Sequence, residues 1–340
     1  MNFRIIIFIL IIVGFAACRK DKPYPSLIDN KNCESFDIVL PPQTYFTNGR
    51  YQYKAPCFNP NNSNEFIFHY RDNEIHKFQL FKYNIQTKQK ILIAESGKIY
   101  GQPKWSKKGW IAYTHTSGYV DHIYVVKENG DSLTQFTDNV ANHSPAWDSS
   151  GDKLYWSYSP VLGIPYYFLS QNLNAPIPDT LSRSGDIYNG FLRHNTISSD
   201  NELLSLVHIN NSDSPYLAIA SLNKNSLVFS NIINTNKVIS YLTISGLCWS
   251  NNGEYIYATV PSSGYSNGLY KIGVYNPSIE LLMSFCDTKS YTSISASPDG
   301  KYIVGERIER EAHSNGEIVE NSFIYLIDLH TLEEIKIDFE

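Results

Sequence analysis

Ile294-Ser295-Ala296-Ser297-Pro298-Asp299-Gly300-Lys301-Tyr302-Ile303-Val304 is two short apolar runs joined by a tight turn. Pro298 presets φ, Asp299 can bond its own backbone, and Gly300 tolerates positive φ. The stretch predicts a hairpin between two β-strands. It recurs at Trp249-Ser250-Asn251-Asn252-Gly253-Glu254-Tyr255-Ile256, Trp147-Asp148-Ser149-Ser150-Gly151 and Trp105-Ser106-Lys107-Lys108-Gly109. Looser copies stand at Ile197-Ser198-Ser199-Asp200-Asn201 and Phe58-Asn59-Pro60-Asn61-Asn62.

The anchors 58, 105, 147, 197, 249 and 296 are spaced by 47, 42, 50, 52 and 47 residues. A period of this size marks an array of supersecondary units. Each hairpin is followed by two more strand-like runs, Asp121–Val126 and Ser132–Phe136 in the second unit, Ser322–Asp328 and Glu334–Ile337 in the last. Four strands per unit, six units and no helical period predict an all-β chain: a six-bladed β-propeller of four-stranded antiparallel blades over 55–340. Trp105, Trp147 and Trp249 are expected at blade cores or interfaces.

The repeated core resembles the WD40-like (PD40) repeats of TolB-type propellers, whose units carry W-S-P-D-G-K-x-I; Ala296–Lys301 and Trp249–Glu254 match best. The resemblance spans about 55–340 and implies fold, because the motif lies in turns and blade cores. TolB carries an additional N-terminal α/β domain. Residues 19–54 are too few for one, so the Pal-binding role of TolB does not carry over.

Met1–Ala17 reads as a leader: Arg4 is followed by a 13-residue apolar run from Ile5 to Ala17, short of the ~20 residues a spanning helix needs. Phe15-Ala16-Ala17-Cys18 resembles a bacterial lipobox, which implies a lipidated Cys18 and a membrane held through acyl chains. Residues 19–34 read as a tether. Surface lipoproteins of Bacteroidota type carry an acidic run after this Cys. Here only Asp21 is acidic among bases, which favours the periplasm over the cell surface. Phe36–Leu40, stopped by Pro41-Pro42, is a strand candidate that can add an outer strand to the last blade and close the ring.

A formal net charge of −5 excludes a basic nucleic-acid footprint. Besides Cys18 there are cysteines 33, 57, 248 and 286. They read as buried thiols or as the bridges Cys33–Cys57 or Cys248–Cys286, and no C-x-x-C suggests zinc or redox chemistry. Gly264-Tyr265-Ser266-Asn267-Gly268 has the G-x-S-x-G spacing but sits between strands, so it reads as a turn and not as a nucleophile elbow. Asp131-Ser132-Leu133 and Asp179-Thr180-Leu181 resemble the O-glycosylation triplet of Bacteroidota.

Loops after second strands vary in length: Pro160 to Pro165, Pro261 to Asn267, and Ile308 to Asn321 with its four glutamates. Second strands run away from the hairpin turns, so their ends reach the opposite face. His115, Tyr158, His208 and Arg307 fall at those ends, with His69 and Arg71 near them, and the chain returns there through Tyr100, His143, Arg193 and His194. Arg71, His115, Tyr158, Arg193, His208 and Arg307 are therefore the candidate binding residues of one channel mouth. The plainer reading is solvated strand ends. Oligogalacturonate-lyase-like propellers resemble this fold and use a His-bound metal, but no His pair here has ligand spacing, so neither metal nor cofactor is expected.

The expected function is a lipid-anchored cell-envelope module that binds a protein, peptide or glycan, with no catalytic set. The alternatives are a propeller lyase or hydrolase with a site at the channel mouth, and a structural subunit of an envelope complex.

Overall fold

The computed structural model describes residues 43–339 except 97, 119, 140, 161–166, 184–188, 201, 209–215, 223–227, 234–243, 261–266, 277 and 286–287. Of Tyr100, Arg193, His194 and His208 it describes the backbone alone. Cys18, Cys33, Phe36–Leu40, Cys286 and most of Gly264–Gly268 lie outside the described residues.

Every regular element described is a β-strand. The first set is β1 (Tyr45–Asn59), β2 (Asn62–Asp72), β3 (Lys77–Asn84) and β4 (Lys90–Ser96). The second is β5 (Lys98–Trp105), β6 (Trp110–Ser117), β7 (Val120–Lys127) and β8 (Thr134–Gln135). The third is β9 (Asn142–Trp147), β10 (Lys153–Tyr158), β11 (Tyr167–Asn172) and β12 (Asp179–Arg183). The fourth is β13 (Asn189–Ile197), β14 (Glu202–His208), β15 (Tyr216–Ser221) and β16 (Val228–Ile233). The fifth is β17 (Gly246–Trp249), β18 (Tyr255–Val260), β19 (Gly268–Gly273) and β20 (Ile279–Ser284). The last is β21 (Lys289–Ala296), β22 (Tyr302–Ala312), β23 (Glu317–Asp328) and β24 (Glu334–Lys336). Within each set consecutive strands pair antiparallel, and the first strands neighbour one another in a circuit that returns from β21 to β1.

The hairpins form for local reasons. In the turns of the second, third, fifth and last sets, Gly109, Gly151, Gly253 and Gly300 all take φ between 70° and 79°, a region that favours glycine. Each donates its N–H to the carbonyl three residues back. The serine after the anchor is the polar hub: Ser297 Oγ accepts from Tyr302 N and donates to Asp299, and Ser250 Oγ does the same with Tyr255 and Asn252.

Apolar residues of successive sets interlock. Cys57, Ile67 and Leu80 of the first pack with Trp105, Ile111 and Tyr113 of the second. Ala112 and Ile123 pack with Trp147 and Trp156 of the third. Trp105, Trp147 and Trp249 are buried, as expected. Trp147 donates its indole N–H to Lys104 O of the preceding set at 3.0 Å, and Trp249 does so to Thr196 O at 3.3 Å.

The seam between first and last sets is a single eight-stranded sheet. The first half of β1 runs parallel to β23, Tyr45 opposite Glu317 and Gln52 opposite Ser322, and its second half pairs with β2. A bulge at Ala55 (φ 50°) interrupts the β2-paired part just beyond the parallel segment. Glu306 fastens it: its carboxylate accepts from Ala55 N at 3.0 Å and from Ser322 Oγ at 2.9 Å.

Residues 308–321 correct the expectation of a long loop. β22 and β23 continue through them as a hairpin, with Arg310 opposite Glu320 and their side chains 2.9 Å apart. Cross-strand ion pairs support a strand with two polar faces, and β1 covers its edge. Cys57 and Cys248 are buried free thiols; Cys33 and Cys286, the other ends of the two proposed bridges, lie outside the described residues.

Candidate functional site

The channel enclosed by the first strands holds two cavities. Gln102 and Lys104 of β5 line both. Gln102 donates to Pro56 O and to Ile294 O, and Lys104 Nζ donates to Gln102 Oε1 at 2.6 Å. Burial, opposed by the nearby Cys57 and Cys248 thiols, lowers the pKa of the Lys104 ammonium.

The first cavity, about 320 Å³, opens among the hairpin turns beside Pro60, Lys107, Ser149, Asn251 and Pro298. These turns are tied to one another. Asn61 Nδ2 donates to Lys107 O, Lys108 pairs with Asp152 at 2.6 Å, and Asp299 N donates to Ser63 Oγ.

The second cavity, about 570 Å³, opens on the opposite face, where the first strands begin and the second strands end. Asp121, His143, Thr114, Ser144, Asn195 and Ser245 line it. His143 Nδ1 lies 3.5 Å from Asp121 Oδ2. The mouth is shaped by bulges in the first strands. Gly101 and Ser144 take φ of 67° and 53°, and pairing shifts register there. A bulge re-aims the residues beside it.

A third cavity, about 340 Å³, adjoins this mouth and shares Gly101, Thr292 and Ser293 with it. Lys54, His69, Arg71, Phe78, Lys98 and Glu306 complete it. His69 is 6% exposed. Burial, reinforced by the charge of Lys54, pushes its pKa down to about 3, so the ring is neutral.

Of the residues expected at the mouth, Arg71 lines the third cavity. His115 does not line the mouth; its neighbour Thr114 does, because side chains alternate along β6. His115 packs edge-on against Tyr124 at 4.9 Å, and burial, with His122 beside it and opposed by Asp121, lowers its pKa. Tyr158 faces Tyr167 at 5.9 Å in the apolar cluster around Trp156.

Arg307 is turned away from the cavities. Its guanidinium holds Glu309 at 2.8 Å and Glu334 of β24 at 3.0 Å, and lies 3.8 Å from the centre of the Tyr325 ring. Tyr291 and Tyr325 donate to the same two carboxylates. Burial and Glu334 raise the Tyr291 hydroxyl well above its ordinary pKa.

Arg193 and His208 lie in β13 and β14, whose pairing begins with Asn189 opposite His208. Asp121, His143 and His69 are the residues that strand-end alignment did not select. His143 was visible only as part of a returning strand, and His69 only as a neighbour of Arg71. Among the described residues no three His, Cys, Asp or Glu side chains converge as metal ligands do. Asp131-Ser132-Leu133 lies in an exposed turn, whereas Leu181 of the second triplet is buried.

No family model matches the chain, and no curated protein matches it. Solved structures match in fold. TolB from Acinetobacter baumannii is 16% identical with a TM-score of 0.51, over 84% of this chain and 67% of that one. The β-propeller domain of the Trilobed protease from Pyrococcus furiosus is 11% identical with a TM-score of 0.54, over 86% and 99%. An oligogalacturonate lyase in complex with manganese is 10% identical with a TM-score of 0.52, over 84% and 77%. At these identities the likeness concerns fold alone: the chain is an all-β propeller of four-stranded antiparallel sheets, similar to TolB in fold.

Proposed function

We propose that the chain is a six-bladed, lipid-anchored propeller of the cell envelope that binds a protein, peptide or glycan at the mouth opposite the hairpin turns. The supporting observation is that the larger channel cavity opens on that face and continues into a second cavity beside it. Concave, preformed space with a few convergent polar groups is where ligands bind. The hairpin-face turns are instead engaged with one another.

The test is partner capture from detergent extract with two double variants. His143→Ala with Asn195→Ala should reduce capture at least tenfold, and Lys107→Ala with Lys301→Ala should leave it within twofold. The reverse pattern would show that the hairpin face binds.

A propeller enzyme is the second reading, favoured by the Asp121–His143 pair on the cavity wall. A carboxylate orients an imidazole as a general base. In that case His143→Ala abolishes turnover of the captured ligand while its affinity changes little.

The anchor is tested separately. Cys18→Ser is expected to lose fatty-acid labelling and to leave the membrane fraction. Labelling retained in that variant rules the anchor out.

A further inference from the structure

We propose that the cavity between the first and last strand sets binds a single carboxylate group, held between Arg71 and His69. Positions 69 and 71 are two apart on β2 and project from one face of the strand. Arg71 Nε and His69 Nε2 are both buried without a hydrogen-bond partner, as is Thr292 Oγ1 on the facing β21. Buried polar atoms are normally paired, and here three unpaired ones line one cavity. His69 is almost wholly buried, so the partner of its Nε2, water or a ligand group, sits inside the cavity.

The charges agree. Lys54 of β1, Arg71 of β2 and Lys98 of β5 line the cavity, and Glu306 of β22 is the one acid among its walls. Both oxygens of Glu306 are engaged: by Ala55 N, by Ser322 Oγ, and by Lys54 at 3.7 Å. Asp72, next along β2, is held by Arg50 and by its own turn. A further negative group is therefore accommodated without displacing an acid. Arg71 is preset for it, with its guanidinium 5.1 Å from the centre of the Phe78 ring. The neutral His69 ring can offer an N–H without adding charge.

A planar group with two oxygens can accept from Arg71 and His69 together and still take a bond from Thr292. A doubly charged phosphate is disfavoured, because burial costs rise with charge. The volume, about 340 Å³, suits a small acid or the acidic end of a longer ligand.

The assignment deepens the mouth-face reading, and rests on it only for where the rest of the ligand lies. The carboxylate step can be read alone. The full chain in detergent is titrated with D-glucuronate and with N-acetylalanine, one a sugar acid and one a peptide end. Glucose, N-acetylalaninamide and inorganic phosphate serve as comparisons. Binding is read by calorimetry and by the ring signals of His69.

At least one carboxylate is expected to bind and to shift His69, and the uncharged analogues to do neither. Which acid binds names the source. Arg71→Gln should weaken binding about tenfold or more, the loss of one charge-assisted bond. His69→Asn should weaken it severalfold, with the unfolding midpoint of both variants near that of the wild type. Lys301→Ala, on the hairpin face, should leave small-acid binding unchanged. If no carboxylate moves the His69 signals, if phosphate alone binds, or if Arg71→Gln binds as the wild type does, the assignment fails. Failure of the face reading looks different: small acids bind, yet capture of the partner depends on Lys107 and Lys301.

Discussion

Trp249→Ala is expected to lower the unfolding free energy by ~3–5 kcal/mol, the range for truncating a buried aromatic. Trp249 ends β17 and is 7% exposed. Its ring packs with Leu217 and Ile219 of the fourth set and with Ile256 and Tyr270 of its own. Truncation leaves a cavity at the joint between two sets, and also strands Thr196 O, which now accepts the indole N–H. Trp249→Phe separates the two contributions. It keeps most of the apolar contact and loses the bond, for about 1 kcal/mol. Urea unfolding followed by circular dichroism measures both. A Trp249→Ala midpoint equal to that of the wild type would falsify the packing described for this joint.

Arg307→Ala is expected to cost about 2 kcal/mol, between the buried and exposed cases, because Arg307 is buried but its two acids are partly exposed and water screens them once unpaired. Two carboxylates, Glu309 and Glu334, depend on this guanidinium, and Tyr325 lies against its face. Arg307→Lys should recover only part of the loss, since an ammonium is a point charge that cannot bridge two acids while stacking on a ring. Arg307→Ala combined with Glu309→Gln and Glu334→Gln should recover more than Lys does, because no unpaired charge remains. The same variants decide what Arg307 is for. A structural residue alters the unfolding midpoint and spares ligand capture. If Arg307→Ala unfolds as the wild type does but loses capture, Arg307 is a binding residue after all.

The sequence by itself determined the repeat. Each hairpin is specified within about ten residues. A serine feeds the turn, an Asp or Asn bonds its own backbone, and a glycine takes positive φ, as at Ser297, Asp299 and Gly300. Such interactions are local, so they are written where they act. Copies at a period near fifty residues then imply an array, whatever the contacts between its members. The burial of Trp105, Trp147 and Trp249 follows from the same pattern.

Which side chains meet at the mouth was decided by tertiary structure. Bulges at Ala55, Gly101 and Ser144 shift the phase of the first strands, and a shift of one residue exchanges the faces of a strand. On β6, which pairs with β7 without a bulge, alternation puts Thr114 on the cavity and His115 on the other face, a one-residue choice that alignment on the hairpins did not resolve. Arg307 stood at the expected strand end, but its direction was set by Glu334, 27 residues away in sequence and two strands across the sheet. The glutamates of 308–321 suggested a loop because the partner that covers this strand, Tyr45–Gln52, comes from the other end of the described chain. Long-range pairing of this kind leaves no periodic trace in either segment. For the same reason the sequence places Arg71 near the mouth, with His69 beside it, but does not show that the two share an enclosed cavity. Only the approach of β1, β5, β21 and β22 to β2 encloses them in a cavity with polar atoms still to be bonded.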